Sequence, residues 1–244
     1  KTGCSRCDMV ETEAQGIPAT GHDIIVLEEA VVPTCTTAGS TAKTGCSRCD
    51  FIQEESEEIP AGHQYGEDKI CTVCGESSLP FAYTLSGDGT YYILSGAGEV
   101  TDTDITIPAW HKGLPVKKIG SFAFDRYGLT TNLSLTSLII PEGIEEIEAS
   151  AFDGQSEIKT VILPKSLKSV GVDAFHLNVG LETFIVKGNT VFSGNAFTVQ
   201  SGALKTIVFL SESVISCDPG ESYDDLKIYV PSALLEEYRE SFGY

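Results

Sequence analysis

The stretch Ile158-Lys159-Thr160-Val161-Ile162-Leu163-Pro164 is one copy of a strand-like phrase that recurs in the C-terminal half of the chain. The apolar centres of the copies follow one another at intervals of 23 residues: Leu138–Ile140, Val161–Leu163, Phe184–Val186 and Ile207–Phe209. A fixed period of this length is typical of stacked supersecondary units, each of which cannot bury its apolar face alone. The sequence therefore predicts a repeat solenoid, whose function usually lies on an extended surface.

The aligned copies form columns that follow the alternation of side chains along a strand. The inward columns are apolar in every copy: Leu138, Val161, Phe184 and Ile207, then Ile140, Leu163, Val186 and Phe209. The outward columns carry a hydroxyl and then an apolar side chain: Ser137, Thr160, Thr183 and Thr206, then Ile139, Ile162, Ile185, Val208 and Tyr229. Pro141 and Pro164 end their strands, because proline cannot donate to a β ladder.

An Ala-Phe pair marks the return path between successive strands. The four pairs are Ala123-Phe124, Ala151-Phe152, Ala174-Phe175 and Ala196-Phe197. We expect the alanine to permit close backbone approach and the phenylalanine to fill the space between layers. Burial of each ring is worth roughly 1.5–3 kcal/mol, so the rings are expected to set the layer spacing.

This pattern, over about Ile105 to Pro231, resembles the BspA-type leucine-rich repeat. The resemblance implies a right-handed coil with a parallel β-sheet on one face and short helical or turn returns. At the N-terminal end, Phe81–Leu85 and Thr90–Leu94 surround a Gly-rich turn and predict a capping β-hairpin. At the other end, a final strand at Ile228–Pro231 precedes an amphipathic capping helix. The apolar residues of that helix are Leu234, Leu235, Tyr238 and Phe242.

The N-terminal region contains a different repeat, built around cysteine. Lys1-Thr2-Gly3-Cys4-Ser5-Arg6-Cys7-Asp8 recurs almost unchanged at Lys43–Asp50, and Cys71–Glu76 is a shortened third copy. Three Cys-x-x-Cys pairs with nearby histidines are typical of tetrahedral zinc sites. One predicted ligand arrangement is Cys4, Cys7, His22 and Cys35, followed by Cys46, Cys49 and His63 with Cys71 or Cys74. Two other registers stay open: Cys35, Cys46, Cys49 and His63, or Cys46, Cys49, Cys71 and Cys74.

This cysteine-rich segment resembles the short zinc-ribbon-like Cys/His repeats of bacterial surface proteins. We expect a small β-rich module at residues 1–78, held by structural zinc, ahead of the repeat domain at residues 79–244. Disulfides are the alternative, because they are the default in extracellular proteins. A redox Cys-x-x-Cys motif is disfavoured, since the βαβ context that it needs is absent.

The net charge of −19 excludes several classes of partner. An acidic surface repels nucleic acid and anionic membranes, and no apolar stretch approaches the ~20 residues of a membrane helix. Motifs for nucleophilic, phosphate-binding or metalloprotease catalysis are absent, so no enzyme is expected. His111, His176 and the isolated Cys217 are assigned packing or surface roles. Because the chain opens in mid-repeat, we expect its export signal and anchor to lie outside this sequence.

The resemblance to BspA-type proteins implies a non-enzymatic, extracellular protein at a bacterial cell surface. It also implies adhesion to a protein partner, either a host matrix protein or a protein of another cell. We expect a monomer that binds this partner on the outward face of its strands. The alternatives are a structural spacer that displays other domains, a metal-scavenging or metal-sensing module and, remotely, a hydrolase.

Overall fold

The computed structural model describes residues 21–127, 133–196, 203–216 and 225–242. The predicted ligands Cys4 and Cys7, the ring of Phe197, and Cys217 lie outside the described residues. The chain separates into two compact units, Lys1–Gly62 and His63–Tyr244. The sequence prediction put the boundary after residue 78. With the division after Gly62, the third Cys-x-x-Cys pair lies in the same unit as the leucine-rich repeats.

The N-terminal unit is a small β structure. Its strands are β1 (Ile24–Glu28), β2 (Gly39–Ser40), β3 (Lys43–Cys46), β4 (Ile52–Glu54) and β5 (Glu58–Ile59). Strands β1, β3 and β4 form an antiparallel sheet in that order, and β2 pairs with β5. All five residues of β1 are exposed, whereas Cys46 is buried. The described part of this unit, residues 21–62, therefore contributes little apolar core, which is the situation in which small domains use metals or disulfides.

The C-terminal unit begins with a hairpin that caps the solenoid. Strands β6 (Ala82–Leu85) and β7 (Tyr92–Gly96) are antiparallel, as the sequence predicted. Three strands follow: β8 (Asp104–Thr106), β9 (Trp110–His111) and β10 (Leu114–Ile119). Strand β10 pairs with β7 in parallel through residues 116–119, and with β9 in antiparallel orientation through residues 114–115. The cap is therefore joined directly to the first coil.

The repeated phrases form the predicted parallel strands. They are β11 (Ser137–Ile139), β13 (Thr160–Leu163), β15 (Thr183–Val186), β17 (Thr206–Phe209) and β18 (Lys227–Tyr229). Strand β11 pairs with β8, and β13, β15, β17 and β18 form a second parallel sheet. Identical columns face one another, since Ile162 pairs with Ile185, Ile185 with Val208, and Val208 with Tyr229. The fold is therefore a β-solenoid of about five turns.

The return path contains a further sheet that the sequence analysis did not predict. Short strands β12 (Glu146–Ile147), β14 (Ser169–Val170) and β16 (Val191–Phe192) run parallel to one another and extend the sheet of β10 and β7. Ile147 and Val170 are fully buried and point into the core. These returns were expected to be short helices or turns. They begin with two-residue strands and continue as turns, and pairing between the strands of successive coils satisfies backbone groups close to the core.

The Ala-Phe pairs form turns whose phenylalanines stack along the solenoid. The rings of Phe124, Phe152 and Phe175 are completely buried. Their centroids are 5.3 and 5.4 Å apart, and the ring planes are within 12° of parallel. This column agrees with the expectation that the rings fill the space between layers.

In three coils, the residue two positions before the Ala-Phe phenylalanine adopts a left-handed backbone conformation. Phe122, Ser150 and Asp173 have φ angles of 58°, 52° and 56°; in the next coil Gly194, three positions before Phe197, has a φ of 52°. Such angles are uncommon for non-glycine residues. The turn geometry therefore repeats even though the residue types differ.

The C-terminal end is closed by a helical cap. A 3₁₀ helix at Ser232–Leu234 leads into helix α1 (Leu235–Phe242). The buried Tyr238 stacks on Phe209 at 5.3 Å, and its hydroxyl accepts a hydrogen bond from the Ile215 amide at 3.0 Å. Leu235 was expected on the apolar face but is 40% exposed. In the described part of the chain, no helix has the length and apolar character needed to cross a bilayer.

Candidate metal clusters and the exposed strand face

The N-terminal unit brings one histidine to the Cys-x-x-Cys pair that follows it. The ligand atoms of His22, Cys46 and Cys49 lie within 4.8 Å of one another. His22 Nδ1 is 3.4 Å from Cys49 Sγ, and the His22 ring stacks on Phe51 with centroids 4.0 Å apart. We call these three residues the His22 cluster; they present two thiols and an imidazole, the donors that zinc prefers.

The C-terminal unit repeats this arrangement. The ligand atoms of His63, Cys71 and Cys74 also lie within 4.8 Å of one another. His63 Nδ1 is 3.3 Å from Cys74 Sγ, and the His63 ring stacks on Tyr65 at 5.4 Å. We call these three residues the His63 cluster. In both clusters the histidine presents the same ring nitrogen to the second cysteine of the pair.

Each cluster is held in place by its own set of backbone hydrogen bonds, and the two sets are equivalent. In the first, the Ser47 amide donates to the Asp23 carbonyl at 2.9 Å; in the second, the Thr72 amide donates to the Gln64 carbonyl at 2.9 Å. Each bond joins the residue after a histidine to the residue after a first cysteine. The amide of that cysteine donates to the carbonyl five residues onward, at 2.8 Å in both clusters. Each histidine is thus fixed beside its thiols by main-chain geometry.

Hydrogen bonds favour the thiolate form of the first cysteine of each pair. The Arg48 amide lowers the pKa of the Cys46 thiol, against the effect of burial, and with His22 brings it to about 6. Burial raises the pKa of the Cys71 thiol, but the Cys74 and Val73 amides and His63 outweigh burial and lower that pKa to about 5. Because the thiolate is the form that binds metal, both clusters are suited to a cation.

The two clusters draw their residues from different predicted ligand sets. His22 was grouped with Cys4 and Cys7, which lie outside the described residues, and it contacts the following Cys-x-x-Cys pair instead. Other predicted sets join Cys46 and Cys49 to His63, or to Cys71 and Cys74. The residues of each of these sets lie partly in one unit and partly in the other. Cys35 lies in the N-terminal unit, half-buried in a turn after Thr34.

The outward columns of the strands form a second candidate surface. Ile139, Ile162 and Tyr229 are 55%, 40% and 54% exposed, and Ile185 and Val208 are partly exposed between them. Beside this apolar row runs the hydroxyl row: Ser137, Thr160, Thr183 and Thr206. We call the two rows together the strand face. Exposed apolar rows of this kind mark interaction sites more often than isolated exposed side chains do.

Two residues that the sequence analysis assigned to packing make specific contacts. His176 Nδ1 lies 3.0 Å from Asp153 Oδ1 in the return turns. His111 stacks on Tyr83 with centroids 3.8 Å apart, and its Nδ1 lies 3.2 Å from Glu76 Oε1. Burial lowers the pKa of His111, although Glu76 opposes this effect. The carboxylate of Glu76 also faces His63, a contact that no spacing in the sequence indicated.

Comparison with known proteins identifies the solenoid. Residues 103–218 match the family described as the BspA type leucine rich repeat region, in six copies. Among curated proteins, no sequence matches this chain significantly.

Several solved structures resemble the chain. The leucine rich repeat protein of T. pallidum is 21% identical, with a TM-score of 0.45 over 65% of each chain. A leucine rich cell surface protein from Faecalibacterium prausnitzii is 26% identical, with a TM-score of 0.47 over 64% of this chain and 42% of its own. The pneumococcal vaccine antigen PcpA is 21% identical, with a TM-score of 0.41 over 71% of this chain and 47% of its own. The chain thus spans 42–65% of the length of these three proteins.

The six matched copies extend from β8 to β17 and cover the strands of the strand face except β18, which carries Tyr229. Their columns, period and parallel pairing agree with the pattern first seen in the sequence. Residues 103–218 therefore form a BspA-type leucine-rich-repeat region.

Proposed function

We propose that this chain is a non-enzymatic binding protein of a bacterial cell surface, which attaches to a protein partner through the strand face. The exposed apolar row from Ile139 to Tyr229 is the observation that carries this proposal. A row of β-branched side chains bordered by hydroxyls offers apolar contact together with peripheral hydrogen bonds. This is the composition expected of a protein interface with a dehydrated centre and a polar rim.

The electrostatics favour a protein partner over other macromolecules. At a net charge of −19, the chain repels the phosphates of nucleic acids and of anionic lipids. The strand face extends over five successive strands, which suits a flat or extended protein surface such as that of a host matrix protein. A structural spacer needs no such apolar row, so its presence favours binding over a purely spacing role.

Replacement of Ile162 by lysine is expected to weaken partner binding at least about tenfold, because it places a charge in the middle of the apolar row. The measurement is the dissociation constant for immobilised host matrix proteins, determined by interferometry at fixed salt concentration. Val172→Lys is the matched control. Val172 is 44% exposed, compared with 40% for Ile162, but it lies in a return turn.

Equal effects of the two lysines would show that binding depends on net charge and not on the strand face. Failure of the unmodified chain to bind any of the immobilised host matrix proteins would favour the spacer role. Both variants change exposed side chains, so thermal unfolding of each should stay within a few degrees of the parent. This measurement separates lost binding from lost structure.

We infer a second role for the Cys/His clusters, as sites for structural zinc. The support is that each cluster assembles one imidazole and two thiols by the same backbone hydrogen bonds. Protein purified without added zinc is expected to contain one to two zinc ions per chain by mass spectrometry, with thiols that titrate fully under denaturant. Metal-free protein with few titratable thiols would instead indicate disulfides. Rapid exchange of zinc without loss of fold would favour a scavenging or sensing module.

A further inference from the structure

The hairpin that carries the His63 cluster is part of the repeat domain's N-terminal edge. Within it, Ile70 pairs with Ser77, and the cluster residue Cys71 pairs with Tyr65. The hairpin then joins the solenoid directly, because Glu76 forms a parallel bridge with Trp110 of β9. Gly75 is also close to the Trp110 ring; a Cβ built on it would lie 2.9 Å from Trp110 Cδ1.

A carboxylate links this cluster to the hairpin cap. Glu76 Oε2 lies 3.8 Å from His63 Nε2, and Glu76 Oε1 lies 3.2 Å from His111 Nδ1. His111 in turn stacks on Tyr83 of β6 and meets the edge of Tyr92 of β7 at 4.8 Å. Contacts therefore run without interruption from the His63 cluster, through Glu76 and His111, into the two strands of the cap.

The orientation of His63 gives Glu76 a chemical role. Its Nδ1 faces Cys74 Sγ, so its opposite nitrogen, Nε2, faces the Glu76 carboxylate. Histidines that bind zinc commonly donate their second ring N–H to a carboxylate, which fixes the ring and strengthens the bond to the metal. Glu76 occupies this position, and its other oxygen contacts His111, which packs against the cap.

We propose that zinc bound by His63, Cys71 and Cys74 clamps the N-terminal cap onto the solenoid, with Glu76 as the positioning residue between metal and cap. This inference rests on the zinc binding proposed above. Terminal caps maintain repeat proteins in solution and prevent fraying from the ends. Loss of zinc from this cluster is therefore expected to loosen the repeat domain from its N-terminal end.

The single tryptophan of the chain, Trp110, lies on β9 beside Glu76 and reports on this region. In the full chain, Cys71→Ser with Cys74→Ser is expected to lower the thermal midpoint of the tryptophan fluorescence transition by at least about 5 °C. A zinc chelator should have the same effect on the unmodified chain. The matched control is Cys46→Ser with Cys49→Ser, which removes two thiols from the other unit and should shift this midpoint by no more than about 2 °C.

Glu76→Gln tests the link itself, because it removes the charge and preserves the size of the side chain. The zinc affinity of the His63 cluster is expected to fall about 10–100-fold, measured by competition with a chromophoric chelator in the Cys46→Ser, Cys49→Ser background. Glu67→Gln is the control, because Glu67 is exposed in the same hairpin. The zinc affinity of the Glu67→Gln variant should be unchanged.

The outcomes distinguish the two proposals. Absence of zinc from the unmodified chain would overturn both. If the unmodified chain binds zinc but the Cys71→Ser, Cys74→Ser variant has an unchanged tryptophan transition, the clamp is overturned. The proposal of structural zinc would still stand. If that variant fails to fold, Glu76→Gln decides: unchanged zinc affinity and an unchanged tryptophan midpoint would exclude the link through Glu76.

Discussion

Replacement of Phe152 by alanine is expected to destabilise the repeat domain by about 3–5 kcal/mol, the usual cost of deleting a fully buried aromatic ring. Phe152 is completely buried and stacks on Phe124 at 5.3 Å and on Phe175 at 5.4 Å. Its removal opens a cavity and also breaks the ring contacts to both neighbouring coils. In a solenoid, each coil is stabilised chiefly by its neighbours, so an interior coil is the most damaging place for such a change.

The measurement is urea unfolding of the full chain, followed by far-ultraviolet circular dichroism and by Trp110 fluorescence. Trp110 lies near the N-terminal end of the repeat domain. When the interior coil is weakened, the fluorescence and circular dichroism transitions should therefore occur at different urea concentrations. Phe122→Ala is the control: the same deletion in the same type of turn, at a ring that is 51% exposed. It is expected to cost only about 1 kcal/mol. Equal costs for the two variants would show that the buried ring column is not what holds the layers together.

Replacement of Gln155 by leucine is expected to cost about 3–5 kcal/mol, because it leaves three main-chain groups without their buried partner. The Gln155 side chain is completely buried. Its Oε1 accepts from the Leu135 amide at 2.7 Å, and its Nε2 donates to the carbonyls of Phe124 and Leu133 at 2.5 and 3.0 Å. The amide thus joins one return turn to the beginning of the next strand.

Leucine has nearly the volume of glutamine, so this substitution tests hydrogen bonding more than packing. Asn178, which lies 23 residues further along, offers an internal comparison. Its Nδ2 donates to the carbonyls of Phe152 and His176, while its Oδ1 accepts no hydrogen bond from the described residues. Asn178→Leu should therefore cost less, about 2 kcal/mol. A smaller loss for Gln155→Leu than for Asn178→Leu, in the same urea titration, would contradict this account.

The proposed functions differ in how far they depend on the fold. Binding on the strand face follows from side chains that the repeat exposes in successive coils. The zinc clamp depends on single contacts, such as the 3.2 Å approach of Glu76 to His111. The two proposals are therefore tested by different variants, with Ile162 for the first and Cys71, Cys74 and Glu76 for the second.

The sequence alone determined the repeat solenoid, its strand columns and its two caps. These features are local, because the alternation of Thr160, Val161, Ile162 and Leu163 specifies a strand and its faces wherever the chain places it. The 23-residue period then requires each coil to pack on the next. The exposed row of Ile139, Ile162 and Tyr229 followed from the same alternation.

Tertiary structure alone decided the parallel pairing of β12, β14 and β16 in the return path, the buried amides and the composition of the Cys/His clusters. A Cys-x-x-Cys pair places two thiols together by itself, but which histidine joins them depends on how the chain returns. The Asp23–Ser47 and Gln64–Thr72 backbone bonds make that decision, and they pair each histidine with the cysteines that follow it. Glu76 could not have been identified from spacing, because its two histidine neighbours are brought to it by the hairpin and by β9. Such contacts depend on the packing of distant segments, which periodicity in the sequence does not encode.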